Sequence, residues 1–389
     1  MAFRRVTLLK DMLSIKKTVA GALCVAWLSA GAPLGPGASP YDPLPGMPPV
    51  LDIQNVYSAD GPGMLSAAVK TFPYRVYVPN SKSDTVDIID PETYQIIGHF
   101  ALPKHGKGLL EPQHVVPSWD LQKLWVAQDL GDQLTMIDPA TGKEGPTIHV
   151  DDPYNMYYTP DGKFAVVMAE REKRIDFRDA QTMAVVNKVP VNCEGVNHAD
   201  FTLDGRYMIA TCEFSSELLK IDVAAQKVIA HIMLEPKGMP QDCRLSPDGK
   251  VFYVANMDSD GVHVIDGEAF KQIEFIKTGK GTHGEYFSRD AKCMYISNRG
   301  EGTISLLDTA TRKLTGKWVI PGGGSPDMGG VSPDGKKLWL SGRYNSEVYV
   351  FDTSNGKLLA RIHVGKGPHG LCVYPQPGRY SLGHTGNMR

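Results

Sequence analysis

The chain has 389 residues, 42% of them hydrophobic and 22% charged, with a formal net charge of −2. That is ample length for a large core, and the near-neutral charge offers no basic surface, which argues against nucleic acid or an anionic membrane as a main partner. Forty Gly and 28 Pro suit a chain with many tight turns.

In chain order, residues 1–34 read as a secretory signal peptide. Lys16 and Lys17 precede an apolar run over 18–28, and small residues follow over 29–32. The run is shorter than the about 20 apolar residues a membrane-spanning helix needs. The mature protein is therefore expected to carry no transmembrane anchor and to be periplasmic or secreted. Cys24 lies inside the run and not behind a small residue at its end, so lipidation is not expected. Residues 35–71 read as a Pro/Gly-rich linker. Removal of the signal leaves five cysteines, an odd number that cannot all pair within one chain. Cys193 with Cys212 is the pair to test for a disulfide. The absence of CxxCH excludes c-type haem attachment.

From there a phrase recurs: an alternating apolar run that ends in Asp, then a turn. The marker aspartates are Asp90, Asp138, Asp179, Asp222, Asp266, Asp308 and Asp352, spaced by 48, 41, 43, 44, 42 and 44 residues. A period in the low forties with four short strands per unit predicts a β-propeller. In the unit around residue 250, strands are expected over 242–246, 251–256, 261–266 and 272–277, with a Pro247-Asp248-Gly249 hairpin turn. No stretch carries the helical period that an α/β fold would require. The first unit, 75–102, lacks its first strand, and the last segment, 368–374, is a first strand with nothing after it. Together they complete one blade. The prediction is an all-β, seven-bladed propeller of four-stranded antiparallel blades over 72–376, its ring closed by the C-terminal strand. Residues 377–389 lie outside the repeat, as an unassigned tail.

RVYVPNS, FYVANM and MYISNR, with PQDCRLSPDGK, VSPDGKK and GKGPHGLCVYP, resemble the YVTN-repeat (YncE-like) propellers. The chain is more distantly similar to the d1-haem propellers of cytochrome cd1 nitrite reductase and of d1-haem biogenesis. The resemblance implies the fold and that the first strand of each blade is innermost. It says little of activity, because this scaffold hosts many.

With that arrangement the start of each first strand is expected to line the mouth of the central channel, where propeller sites form. Read around the ring, this position gives His114, Asn155, His198, Asp242, His283, Asp327 and His369. The chain has eleven histidines, so four at one structural position is a biased placement. The expected metal ligands are His114, His198, Asp242, His283, Asp327 and His369. Asn155 and, from the neighbouring loops, Glu170, Glu213, Asn256, Arg299 and Arg343 are expected to bind a ligand.

Three readings stay open. Imidazole and carboxylate from separate blades suit a transition metal such as copper, iron or zinc. A tetrapyrrole would be ligated by His, with Arg299 and Arg343 on its carboxylates. The resemblance also implies a structural reading, in which a Pro-His-Gly turn uses its His to bond the next blade. His283 and His369 fit that reading best, whereas His114 and His198 depart from the repeat phrase. The expected function is an exported binding or accessory protein whose top-face His/Asp ring holds a metal or metal-containing cofactor. The alternative is a periplasmic oxidoreductase or a metal-assisted lactonase-type hydrolase on the same face. Expected partners are a metal ion or small molecule, and another periplasmic protein.

Overall fold

Alternating apolar residues, punctuated by Asp and Gly turns, give 28 strands among the described residues of a computed structural model. The structure describes residues 41–104 and 108–389, so the expected signal peptide lies outside the described residues. The strands form seven four-stranded antiparallel sheets, the blades of a propeller.

Six blades are continuous in sequence. Their inner strands are Pro112–Pro117, Pro153–Tyr158, Val196–Phe201, Pro240–Leu245, Thr282–Phe287 and Pro326–Val331, and every residue of these strands is buried. Blade 1 is composite: Cys372–Tyr374 pairs antiparallel with Arg75–Asn80, through Arg75↔Tyr374 and Tyr77↔Cys372. The ring closes as the unmatched ends of the sequence require. The core lies between blades. At the closure, Val76 and Val373 of blade 1 pack with Trp339 and Val350 of blade 7. Outermost strands are largely exposed or half-buried, and in Lys227–Met233 the two alternate strictly.

The marker aspartates have a local cause. Each sits where the third strand turns into the fourth, and its carboxylate accepts the backbone N–H groups of the turn. Asp308 Oδ1 takes Thr311 N at 2.8 Å, and Asp222 Oδ1 takes Ala225 N at 2.8 Å. At the SPDGK turn, Asp248 accepts from Ser246 Oγ at 2.6 Å and Gly249 supplies a φ of 69°.

Cys193 and Cys212 form a disulfide across a separation of 19 residues, joining the entry of the blade 4 inner strand to the end of the second strand. Cys243, Cys293 and Cys372 form no disulfide among the described residues. Residues 42–71 form no strand. They lie against the face where inner strands end, through Leu44 N→Asp204 O, Val56 N→Pro247 O and the buried Tyr57 hydroxyl on Leu245 O. Among the described residues, no helix is long and apolar enough to cross a membrane.

Candidate metal centre

The inner strands of blades 2 to 7 share an irregularity. Each has a register shift near its start, at Pro112/His114, Pro153/Asn155, Val196/Ala199, Pro240/Cys243, Thr282/Glu285 and Pro326/Gly329. A bulge leaves a residue unpaired and re-aims its side chain. Of the ring residues, His198, Asp242, His283 and Asp327 are among those these shifts leave unpaired, and His114 and Asn155 are the first residues to pair after them. They are the second or third residues of their strands and are buried, none more than 1% exposed. This corrects the expectation that the first strand residue lines the mouth: the ring lies inside the channel.

Within the ring, two groups form. In one, His283 Nδ1 and His369 Nδ1 lie 2.9 and 2.8 Å from the two oxygens of Asp327, and Arg299 donates to Asp327 Oδ1 at 3.1 Å. Burial pushes the Asp327 carboxyl up, but His283, the Arg299 guanidinium and His369 pull harder and hold it well below the usual carboxylate range.

The other group is His114, His198 and His384. One ring nitrogen from each lies within 4.8 Å of those of the other two. The ring centroids are 5.5 Å apart for His114–His198, 5.1 Å for His114–His384 and 5.0 Å for His198–His384. All three are completely buried, and the Nε2 of each has no hydrogen-bond partner among the described residues. Their Nδ1 atoms are engaged. His114 Nδ1 meets the Tyr154 carbonyl at 2.9 Å, and the Asn155 amide nitrogen meets His198 Nδ1 at 3.1 Å and His384 Nδ1 at 3.0 Å. Asp242 Oδ1 lies 3.8 Å from His384 Nε2. The groups adjoin, since the His114 and His369 rings are 5.0 Å apart. Burial drives the His114 imidazole down to about 3 and holds His198, His369 and His384 well below the ordinary range, so these rings are neutral. Neutral imidazole is the form that ligates metal.

Sequence reasoning missed His384. It belongs to the tail, where no repeat phrase predicts a position. The tail enters the channel from the face where inner strands end. Tyr380 stacks on Trp119 at 5.3 Å, Tyr158 N donates to Leu382 O, and His384 N donates to Met156 O. Arg389 donates to both oxygens of the buried Asp200, at 2.7 and 2.9 Å. The one local signal is glycine on either side, Gly383 and Gly386. Gly383 has φ +97°, and a Cβ there would lie 2.4 Å from Met156 O.

The remaining expected residues divide. Asn256 is tied to its own blade, through His263, Met239 N and Ser259 N, and does not join the ring. Glu170, Glu213, Arg299 and Arg343 gather at the channel mouth near Tyr154, whose ring lies 5.5 Å from that of His114. Burial and then Glu213 push the Glu170 carboxyl up to about 9, and one of its oxygens is buried without a partner. Burial also raises Glu213, which accepts from Asn197 at 3.0 Å. Arg343 bonds Ser81 Oγ at 3.1 Å.

The family model for YncE-like β-propellers matches residues 56–378. The chain belongs to the YncE-like β-propeller family. The YncE protein of Salmonella typhi is 28% identical over 178 residues, covering 42% of this chain and 49% of that one, so the chain spans about half the length of the curated relative it matches. Among solved structures, the periplasmic gluconolactonase PpgL of Pseudomonas aeruginosa is similar over 78% of this chain and 99% of its own, at 17% identity and a TM-score of 0.64. The dihydro-heme d1 dehydrogenase NirN, solved in complex with DHE, is similar over 85% and 83%, at 16% identity and a TM-score of 0.57. At such identities these likenesses show the fold alone. Most of the YncE-like match lies in the blades. The family model stops at Gly378, before the segment that brings His384 into the channel.

Proposed function

We propose that this YncE-like propeller is an exported metal-binding protein that holds one transition-metal ion on His114, His198 and His384. One observation carries the reading: three neutral imidazoles, wholly buried, present ring nitrogens within 4.8 Å of one another, and the Nε2 of each has no partner among the described residues. A buried polar atom left unpaired costs about 1–3 kcal/mol, and three together are the arrangement a bound ion would relieve. Asp242 beside His384 and Asp327 beside His369 supply negative charge to offset a dication. An all-imidazole donor set suits copper, zinc or iron and not magnesium or calcium. When bound, the ion would supply Lewis-acid or redox chemistry. The Cys193–Cys212 disulfide supports an oxidising compartment, hence periplasmic or secreted placement.

The test is elemental analysis of protein purified without a His tag and loaded with zinc or copper. About one ion per chain is expected, falling to background in a His114→Ala/His198→Ala/His384→Ala variant that stays folded. Wild-type protein without stoichiometric metal would refute the proposal.

A second reading, a metal-assisted hydrolase of lactone-like substrates, is favoured by Glu170. A carboxyl held protonated at neutral pH at the channel mouth is a proton donor in waiting. Glu170→Gln should then abolish lactone turnover without changing metal content. Absence of turnover in metal-loaded wild type would leave the binding function alone.

A further inference from the structure

The three imidazoles are not equally prepared for a cation. The Tyr154 carbonyl can only accept, so His114 donates from Nδ1 and keeps a lone pair on Nε2. His198 and His384 are held the opposite way. The backbone N–H of Met156 donates to Asn155 Oδ1 at 2.9 Å, which fixes the orientation of that amide. Its NH₂ group therefore faces His384 Nδ1 and His198 Nδ1, at 3.0 and 3.1 Å, with the Tyr157 hydroxyl 3.2 Å from the amide nitrogen and 3.4 Å from His198 Nδ1, to which its O–H can likewise donate. An imidazole that accepts at Nδ1 carries its hydrogen on Nε2 when neutral.

From this we infer that Asn155 is a positioning residue that sets metal affinity, by holding two of the three histidines in the tautomer that opposes binding. The inference rests on the metal-binding reading above. Ligation through Nε2 moves each hydrogen to Nδ1, against the amide hydrogens. Ligation through Nδ1 needs the lone pair that the amide already occupies. Either way the Asn155 amide must turn and release Met156 N–H before His198 and His384 can both coordinate. The tail is part of the same device, because His384 reaches the amide only when Gly383 seats against Tyr157.

An aspartate at 155 removes the opposition. One carboxylate oxygen keeps the Met156 N–H, and the other accepts from Nδ1–H groups or ligates the ion itself. Asn155→Asp should therefore bind Zn²⁺ about tenfold more tightly than wild type, within the range by which groups hydrogen-bonded to metal ligands tune affinity. Zn²⁺ affinity is read by competition with a chromophoric chelator. A second readout needs no variant: ¹⁵N-histidine NMR of metal-free wild type should show Nδ1–H on His114 and Nε2–H on His198 and His384. Two results would overturn the role of Asn155 while leaving the metal site standing. They are Zn²⁺ binding to a folded Asn155→Asp that is no tighter than to wild type, and metal-free His198 and His384 that already carry Nδ1–H. Failure of wild type to bind Zn²⁺ at all would instead sink the metal site, and this inference with it.

Discussion

Asp327 is fully buried, with an imidazole on each oxygen and a guanidinium on one of them. Removing one partner from a buried charged network costs more than the network contributes, because the remaining charge is left uncompensated. Asp327→Asn should therefore destabilise the protein by about 3–5 kcal/mol, read as a lower midpoint in denaturant, whereas Arg343→Lys at the mouth should change stability little. His283 carries a pH dependence whose sign follows from its burial. Its folded pKa is lowered to about 4, against an ordinary value near 6.5 in the unfolded chain. The unfolded state thus binds a proton that the native state refuses. The contribution is intact above pH 6.5 and is lost as pH falls from there towards 4, by about 1.4 kcal/mol per pH unit. Buried acids such as Asp242, raised to about 6, act with the opposite sign but are unchanged in a His283→Gln variant. That variant should show a denaturation midpoint whose dependence on pH between 6.5 and 4 is shallower by about one proton. Equal slopes would mean that the imidazole is charged in the folded state.

At the level of elements, the tail and the disulfide each fasten a different part of the ring. Gly383 meets the backbone of Met156 and Tyr157 so closely that any side chain would collide with it, and its φ of +97° disfavours other residues as well. Gly383→Ala should displace His384. Metal affinity is then expected to fall at least tenfold, and the C-terminal residues should become sensitive to protease, while the blades keep their circular dichroism. Unchanged affinity would exclude His384 as a ligand. Reduction of Cys193–Cys212 opens a loop of about 20 residues and should cost about 3 kcal/mol, seen as a lower melting temperature in reductant with no change in metal stoichiometry.

For the whole molecule, closure of the ring is what brings residues about forty apart in sequence to one axis. Blade 1 is completed by Cys372–Tyr374, so a chain ending at residue 367 would expose the edge of Arg75–Asn80 and lose His369 and His384 together. It is expected to lose cooperative unfolding rather than to unfold one blade at a time. Most of this architecture was legible beforehand. The marker aspartates repeat because each turn needs a carboxylate, and the incomplete units at the two ends fit only one another. The biased histidine position was legible for the same reason, as an offset from each turn that is constant to within one residue. Two things were not. The bulges that carry these side chains into the channel depend on pairing between strands, which alternation along one strand does not encode. His384 belongs to no repeat, and its place follows from Tyr380 on Trp119 and Arg389 on Asp200, contacts across more than 180 residues.

On the metal-binding proposal a single ion sits among three imidazoles, one of them brought by the tail. Anomalous diffraction at the zinc edge, from crystals of the full chain grown after zinc loading, tests it most directly. One strong peak is expected inside the channel, about 2.0–2.1 Å from a ring nitrogen of each of His114, His198 and His384. A peak that engages no more than one of these histidines, or an intact ring with no peak in the channel, would contradict it.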